Sequence, residues 1–295
     1  MIRILVADDS AVAREVVNGG VKVHRARRYI EVDTVNDGRA ALDVLQKKPI
    51  DIAFVDINMP GLSGAEVVAA MGETRSSKCL TVVMSSALDE ASEAVFRRSG
   101  AYHFLKKPFH QDDVAELIAT YMKMTTSYPI LIVDDSATMR KLVRRILEES
   151  RFDFEISEAD SAPSALRALA SGRFRLVLTD FHMPGTDGIE LAGSIRDLSS
   201  RIGIYMMSTN DASYVERSAA FVGISGFLKK PFTAQDIDTI MHGFLELDAP
   251  KFGKVRDMFS FSARERRFPE ANFPGSLLQV LPCRICTMVT LILDC

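Results

Sequence analysis

Two aspartates stand where an apolar run meets a Pro/Gly turn: Asp56 within Phe54-Val55-Asp56-Ile57-Asn58-Met59-Pro60-Gly61, and Asp180 within Leu178-Thr179-Asp180-Phe181-His182-Met183-Pro184-Gly185. A carboxylate so placed is a competent nucleophile toward phosphorus. An acidic pair precedes each one, Asp8-Asp9 and Asp134-Asp135, and a hydroxyl and a lysine follow, Ser86 with Lys107 and Thr209 with Lys230. Three carboxylates brought together repel, and without a cation among them one would have to take up a proton. Mg2+ suits such a group, because it favours oxygen ligands and keeps part of its water shell. The expected metal residues are Asp8, Asp9, Asp56 and Asn58 in the first set, and Asp134, Asp135, Asp180 and His182 in the second. The lysine ammonium and the hydroxyl would then meet the remaining oxygens of a phosphoryl group in an in-line transfer.

Each feature alone has a plainer reading. Asp-Asp-Ser ahead of a helix is commonly a cap, and Met-Pro-Gly is commonly a turn. The ordered set carries more weight because it occurs twice at nearly constant spacing. Ser86 and Lys107 are 21 residues apart, as are Thr209 and Lys230, and Phe104-Leu105-Lys106-Lys107-Pro108-Phe109 returns as Phe227-Leu228-Lys229-Lys230-Pro231-Phe232. The chain therefore reads as a duplication.

The elements that must position these residues follow from hydrophobic period. Short apolar runs at Ile2–Ala7, Ile30–Val35, Ile52–Val55, Leu80–Met84 and His103–Leu105 alternate with amphipathic stretches, which predicts βα units around a parallel sheet. In such a sheet ligand sites form beyond the carboxyl ends of the strands, where the acids, hydroxyl and lysine of each copy fall. Asn18-Gly19-Gly20 predicts a break or early stop in the first helix, since glycine costs about 1 kcal/mol in a helix interior. The basic cluster at His24–Arg28 reads as a solvated loop. Domains are expected at 1–124 and 130–247, joined by a short linker at 125–129 that would keep them close and allow intramolecular or homodimeric pairing.

Each copy resembles the receiver domain of two-component response regulators. The second, from Ile130-Leu131-Ile132-Val133-Asp134-Asp135-Ser136-Ala137-Thr138-Met139-Arg140, is similar to chemotaxis-type receivers. The resemblance implies two flavodoxin-like α/β domains, each a five-stranded parallel sheet of order 2-1-3-4-5 with helices on both faces. It further implies that Asp56 and Asp180 accept phosphoryl groups from a histidine kinase or a histidine phosphotransfer protein with the help of Mg2+. Phe104 and Phe227, three residues before each lysine, fall where the family carries an aromatic switch. Neither copy lacks an essential group, so both should be phosphorylatable.

Composition sets the limits. The sequence of 295 residues has 47% hydrophobic and 25% charged side chains and a formal net charge of −3, with no basic excess in either copy to favour DNA binding. No apolar run suggests a membrane span or a signal peptide, and four cysteines imply no disulfide framework, so a cytoplasmic location is expected. Residues 248–295 show no recognisable effector domain and are expected to be largely disordered; Cys283 and Cys286 lack the second pair that a zinc site needs. Output would then rest on phosphorylation-dependent contacts of a signalling phosphoacceptor, not on an enzyme's turnover of a separate substrate. Two alternatives are a phosphate sink or relay for a shared kinase, and an anionic-nucleotide sensor using Arg264, Arg266 and Arg267.

Overall fold

Strand β1 (Ile2–Ala7) is an inner strand of the first sheet, pairing in parallel with β2 (Ile30–Val35) on one side and β3 (Ile52–Asp56) on the other. Strands β4 (Leu80–Ser85) and β5 (His103–Lys106) extend it to the order β2-β1-β3-β4-β5. Helices α1 (Ala11–Val23), α2 (Gly38–Lys47), α3 (Gly64–Glu73), α4 (Glu90–Arg98) and α5 (Gln111–Met124) make the connections. All five residues of β3 and all six of β4 are buried, as a parallel sheet covered on both faces requires.

The plan repeats with β6 (Tyr128–Val133), α6 (Ala137–Glu148), β7 (Phe154–Ala159), α7 (Ala162–Leu169), β8 (Leu176–Asp180), α8 (Gly188–Leu198), β9 (Gly203–Ser208), β10 (Gly226–Lys229) and α9 (Ala234–Phe244). Its sheet runs β7-β6-β8-β9-β10, again parallel. Two flavodoxin-like folds are thus present, with the strand order expected. The computed structural model describes residues 1–73, 78–185, 187–209 and 222–252. Tail residues 253–295 lie outside the described residues, and with them the cysteine pair and the arginines considered for nucleotide binding.

One expectation needs correction. Helix α1 runs unbroken through Asn18-Gly19-Gly20. A Cβ on Gly20 would stand 2.6 Å from the Val114 Cβ of α5, and one on Gly19 would stand 2.3 Å from Gln111 Nε2. The glycines let α1 and α5 approach closely, so packing recovers what helix propensity gives up.

Between the two domains, α5 ends at Met124 and β6 begins at Tyr128. Pro129 sits at the second position of β6, near a strand start where its missing N–H is tolerated. One apolar cluster continues across this joint, from Ile4 and Phe54 through Tyr121 and Met124 to Tyr128, Phe152 and Ile240.

The described start of the tail packs on the first domain. Phe252 is 3% exposed and packs with the core of the first domain, its ring 5.9 Å from that of Phe96. Its N–H donates to the Tyr102 carbonyl, and Arg97 Nη1 donates to the Phe252 carbonyl. The domains also meet directly. Tyr102 Oη lies 2.9 Å from His242 Nε2, and Arg151 donates to the Gly100 carbonyl at 2.8 Å. The His242 ring Nδ1 is 2.6 Å from the Asp238 carbonyl, so the neutral tautomer with hydrogen on Nδ1 satisfies both contacts. Burial lowers the pKa of His242, which favours that neutral form. Among the described residues no helix is long and apolar enough to cross a membrane.

Candidate functional site

Alternation along the strands decides which side chains reach the carboxyl end of each sheet on one face. Ile4 and Val6 enter one core and Leu5 and Ala7 the other, so Asp8, next in the series of Ile4 and Val6, returns to the first face. Phe54 precedes Asp56 with the same parity, Met84 precedes Ser86 and Leu105 precedes Lys107. In the second domain Ile132, Leu178, Met207 and Leu228 stand two residues before Asp134, Asp180, Thr209 and Lys230. Four strand ends therefore converge twice.

The Pro/Gly turns hold Asp56 and Asp180. Gly61 and Gly185 adopt φ of +81° and +86°, the left-handed region open to glycine. Gly64 and Gly188 open α3 and α8 against the acceptor's own carbonyl. A Cβ there would lie 2.2 Å from Asp56 O and 2.5 Å from Asp180 O. The second glycine of each motif is thus a requirement of close backbone approach.

In the first site Lys107 Nζ lies 2.8 Å from Asp56 Oδ1 and 2.7 Å from Asp8 Oδ2. Asp8 Oδ1 accepts the Ser10 N–H at 2.9 Å. Asp8 Oδ2 is buried and has the ammonium's charge beside it, but no contact with hydrogen-bond geometry. Desolvation is the largest influence on Asp56 and raises its pKa; the Lys107 hydrogen bond opposes this, while the charges of Asp8 and Asp9 add to it. For Lys107 the lowering effect of burial is outweighed by its pairing with the carboxylates of Asp56 and Asp8, so its pKa is raised and the ammonium is favoured.

The second site repeats the clamp with looser dimensions. Lys230 Nζ lies 2.9 Å from Asp180 Oδ1 and 3.2 Å from Asp134 Oδ2. Asp134 Oδ1 accepts the Ser136 N–H at 2.9 Å. Asp180 Oδ1 also accepts the N–H of Phe181 at 2.9 Å.

One carboxylate oxygen from each of Asp8, Asp9 and Asp56 falls within 4.8 Å of the others, and the same holds for Asp134, Asp135 and Asp180. Three hard anionic donors, one of them buried and short of a hydrogen bond, fit a small divalent cation. Asn58 and His182 are exposed at the rim, and the His182 ring stands edge-on to Phe181 at 4.6 Å. Ser86 and Thr209 are exposed immediately beyond β4 and β9. Phe104 is partly buried and Phe227 is 9% exposed, each packed with its own domain's core.

Sequence reasoning missed two arginines. Arg14 Nη1 donates to the carbonyls of Asp8 at 2.5 Å and Asp9 at 3.0 Å, and Arg140 Nη1 donates to those of Asp134 at 2.8 Å and Asp135 at 3.4 Å. The available signal was position, since each arginine follows the second acid of its pair by five residues.

Comparison with known proteins agrees with this geometry. The response regulator receiver domain family matches residues 4–119 and again 130–242. Chemotaxis protein CheY of Pseudomonas aeruginosa is 37% identical over 108 residues, covering 36% of this chain and 86% of that protein. CheY-3 of Vibrio cholerae serotype O1 is 38% identical over 107 residues, covering 36% of this chain and 82% of that protein. A solved structure described as a two-component system response regulator/GGDEF domain protein covers 83% of this chain and 98% of its own, with a TM-score of 0.54 and 24% identity, a likeness of fold. With the same family matched across both halves, and the same strand ends converging in each, the chain belongs to the response regulator receiver family as a tandem of two receiver domains.

Proposed function

We propose that Asp56 and Asp180 each accept a phosphoryl group from a histidine kinase or a histidine phosphotransfer protein, and that the chain acts through protein contacts that depend on those modifications. The observation that carries this reading is the recurring clamp of a strand-end aspartate, a lysine and a second acid, Asp56–Lys107–Asp8 and Asp180–Lys230–Asp134.

A carboxylate oxygen of the acceptor attacks phosphorus in line. The P–N bond to the donor histidine breaks, its electron pair stays on the imidazole nitrogen, and an acyl phosphate forms. Lys107 or Lys230, already on the acceptor oxygen, is placed to pair with a phosphoryl oxygen as charge moves outward. The Ser86 or Thr209 hydroxyl offers a further donor from the next strand end. Asp8, Asp9 and Asp56, and likewise Asp134, Asp135 and Asp180, would hold Mg2+, which when bound would supply charge neutralisation for the phosphoryl group. Hydrolysis returns the carboxylate and inorganic phosphate, with Asn58 or His182 beside the path of the attacking water.

Output requires two states that a partner binds unequally, and Phe104 and Phe227 are the aromatics placed to move with the hydroxyls. The test is labelling of wild type, Asp56→Ala, Asp180→Ala and the double variant from a small phosphodonor with Mg2+, resolved by phosphate-affinity electrophoresis. Each single variant keeps one label and the double variant keeps none. Equal labelling of the double variant would overturn the assignment.

A further inference from the structure

We propose that Arg14 and Arg140 are positioning residues that orient the acidic pairs Asp8-Asp9 and Asp134-Asp135 toward a divalent cation. The proposal rests on the metal reading of those carboxylates and adds residues that touch neither cation nor phosphate.

The strand-to-helix turn explains how. Asp8 Oδ1 accepts from the Ser10 N–H, and Ser10 Oγ caps α1 by accepting from the Ala13 N–H. Those bonds fix the helix start and, through the Ser10 N–H, the peptide plane that follows Asp9, but neither holds the plane that follows Asp8. One nitrogen of Arg14, in the first turns of α1, donates to both carbonyls, so it holds the plane after Asp8 and ties it to the plane after Asp9. Asp9 is exposed and so lacks a packed surrounding to set its direction; its carboxylate follows the backbone. Arg140 makes the same two contacts from α6. Groups behind metal ligands that fix their orientation commonly alter cation affinity by about 10–100-fold when removed.

Charge and orientation predict opposite results. A guanidinium beside a cation site repels the cation, so removing it should tighten binding if charge were its whole effect. If it orients the acids, removing it should weaken binding. Arg14→Lys separates the two, because an ammonium keeps the charge on a shorter stem that does not carry its nitrogen out to the place of Arg14 Nη1, from which both carbonyls are reached.

The test uses full-length protein and Mn2+ alone, with the free ion followed by electron paramagnetic resonance. An Asp134→Asn/Asp135→Asn background isolates the first site. Arg14→Ala and Arg14→Lys should each weaken Mn2+ there by about tenfold, while circular dichroism reports a retained fold. In the chain with both acidic pairs intact, Arg14→Ala should shift one class of site and leave the other. Should Arg14→Ala not fold, Arg14→Lys carries the test. Unchanged or tighter binding in the arginine variants, against saturable binding in the Arg14-intact background, overturns the positioning role and leaves the metal reading standing. No saturable Mn2+ binding with Arg14 intact overturns the metal reading, and the positioning role with it.

Discussion

Asp56 and Asp180 both end the third strand of their domains, yet the side chain of Asp56 is 6% exposed and that of Asp180 is 17% exposed. Around Asp56, burial works against the charged form, and the lysine clamp closes at 2.7 and 2.8 Å. Around Asp180 a local N–H shares the load and the longer lysine contact is 3.2 Å. Behind the second site, Arg140 is also held by Glu158, which Arg144 grips in turn, whereas Thr34 occupies the matching register position in the first domain. The difference teaches that a duplicated scaffold keeps its converging acids and lysine while the packing and polar support around them diverge.

The largest way to break the comparison is to exchange the first helices' contact residues. Gly20 and Ile146 hold the same place relative to their acidic pairs, but Gly20 lies against Val114 and Ile146 packs at the edge of an apolar cluster. Gly20→Ile should destabilise the first domain by about 3 kcal/mol, the upper part of the usual overpacking range. Ile146→Gly should cost the second domain about 2 kcal/mol through lost burial and helix propensity. Urea denaturation followed by far-ultraviolet circular dichroism measures both. A neutral Gly20→Ile variant would show that α1 can move away from α5, and the contrast between the two helices would fail.

The next test sharpens the contrast in charge. Because the folded-state pKa of Asp56 is raised, its charge opposes folding at neutral pH, and that penalty is relieved as pH falls through the raised value. Asp56→Asn should therefore stabilise the protein near pH 7, with an advantage that shrinks as pH enters the carboxylate range. Asp180→Asn, at a more exposed side chain that also accepts a backbone N–H, should gain less. Glu158 should act in the opposite sense. Burial raises its pKa, but Arg144 and Arg140 outweigh that and leave it lowered, so the stability it contributes is lost as pH falls through that lowered value. Denaturation curves of the variants across pH decide this. A pH-independent difference between wild type and Asp56→Asn would remove burial as the distinguishing feature of the first site.

How much of this was legible in the sequence depends on the range of the interaction. The strand runs, the acidic pairs and the lysines announce themselves through period and repetition, because each is fixed by its place on one strand. The behaviour of Gly19-Gly20 was not legible, since propensity describes a helix alone and Val114 and Gln111 meet it from about ninety residues away. Phe252 gave no signal either. A lone aromatic in a stretch without period shows its purpose only when Phe96 and Tyr102 are seen beneath it. Arg14 and Arg140 looked like ordinary polar positions of amphipathic helices, because their partners are main-chain carbonyls that carry no residue-type signature. The converging acids and lysines were readable and their supports were not.

The smallest expected difference lies in phosphoryl lifetime. Asn58 and His182 are both exposed two residues after their acceptors, beside the approach that a hydrolytic water would take. An amide can donate and accept at once, whereas a neutral imidazole offers one donor and one acceptor on opposite sides of its ring. The His182 ring is further restrained edge-on against Phe181. The two sites should therefore orient water differently, and their labels should decay with rates that differ by a few-fold, a change of about 1 kcal/mol in barrier. Decay of the single remaining label in Asp56→Ala and Asp180→Ala proteins measures each site alone. Asn58→His should then move the first site's rate toward that of the second. Indistinguishable decay in the two single-acceptor proteins would mean that the rim residues do not govern hydrolysis, and the divergence of the sites would be confined to their buried support.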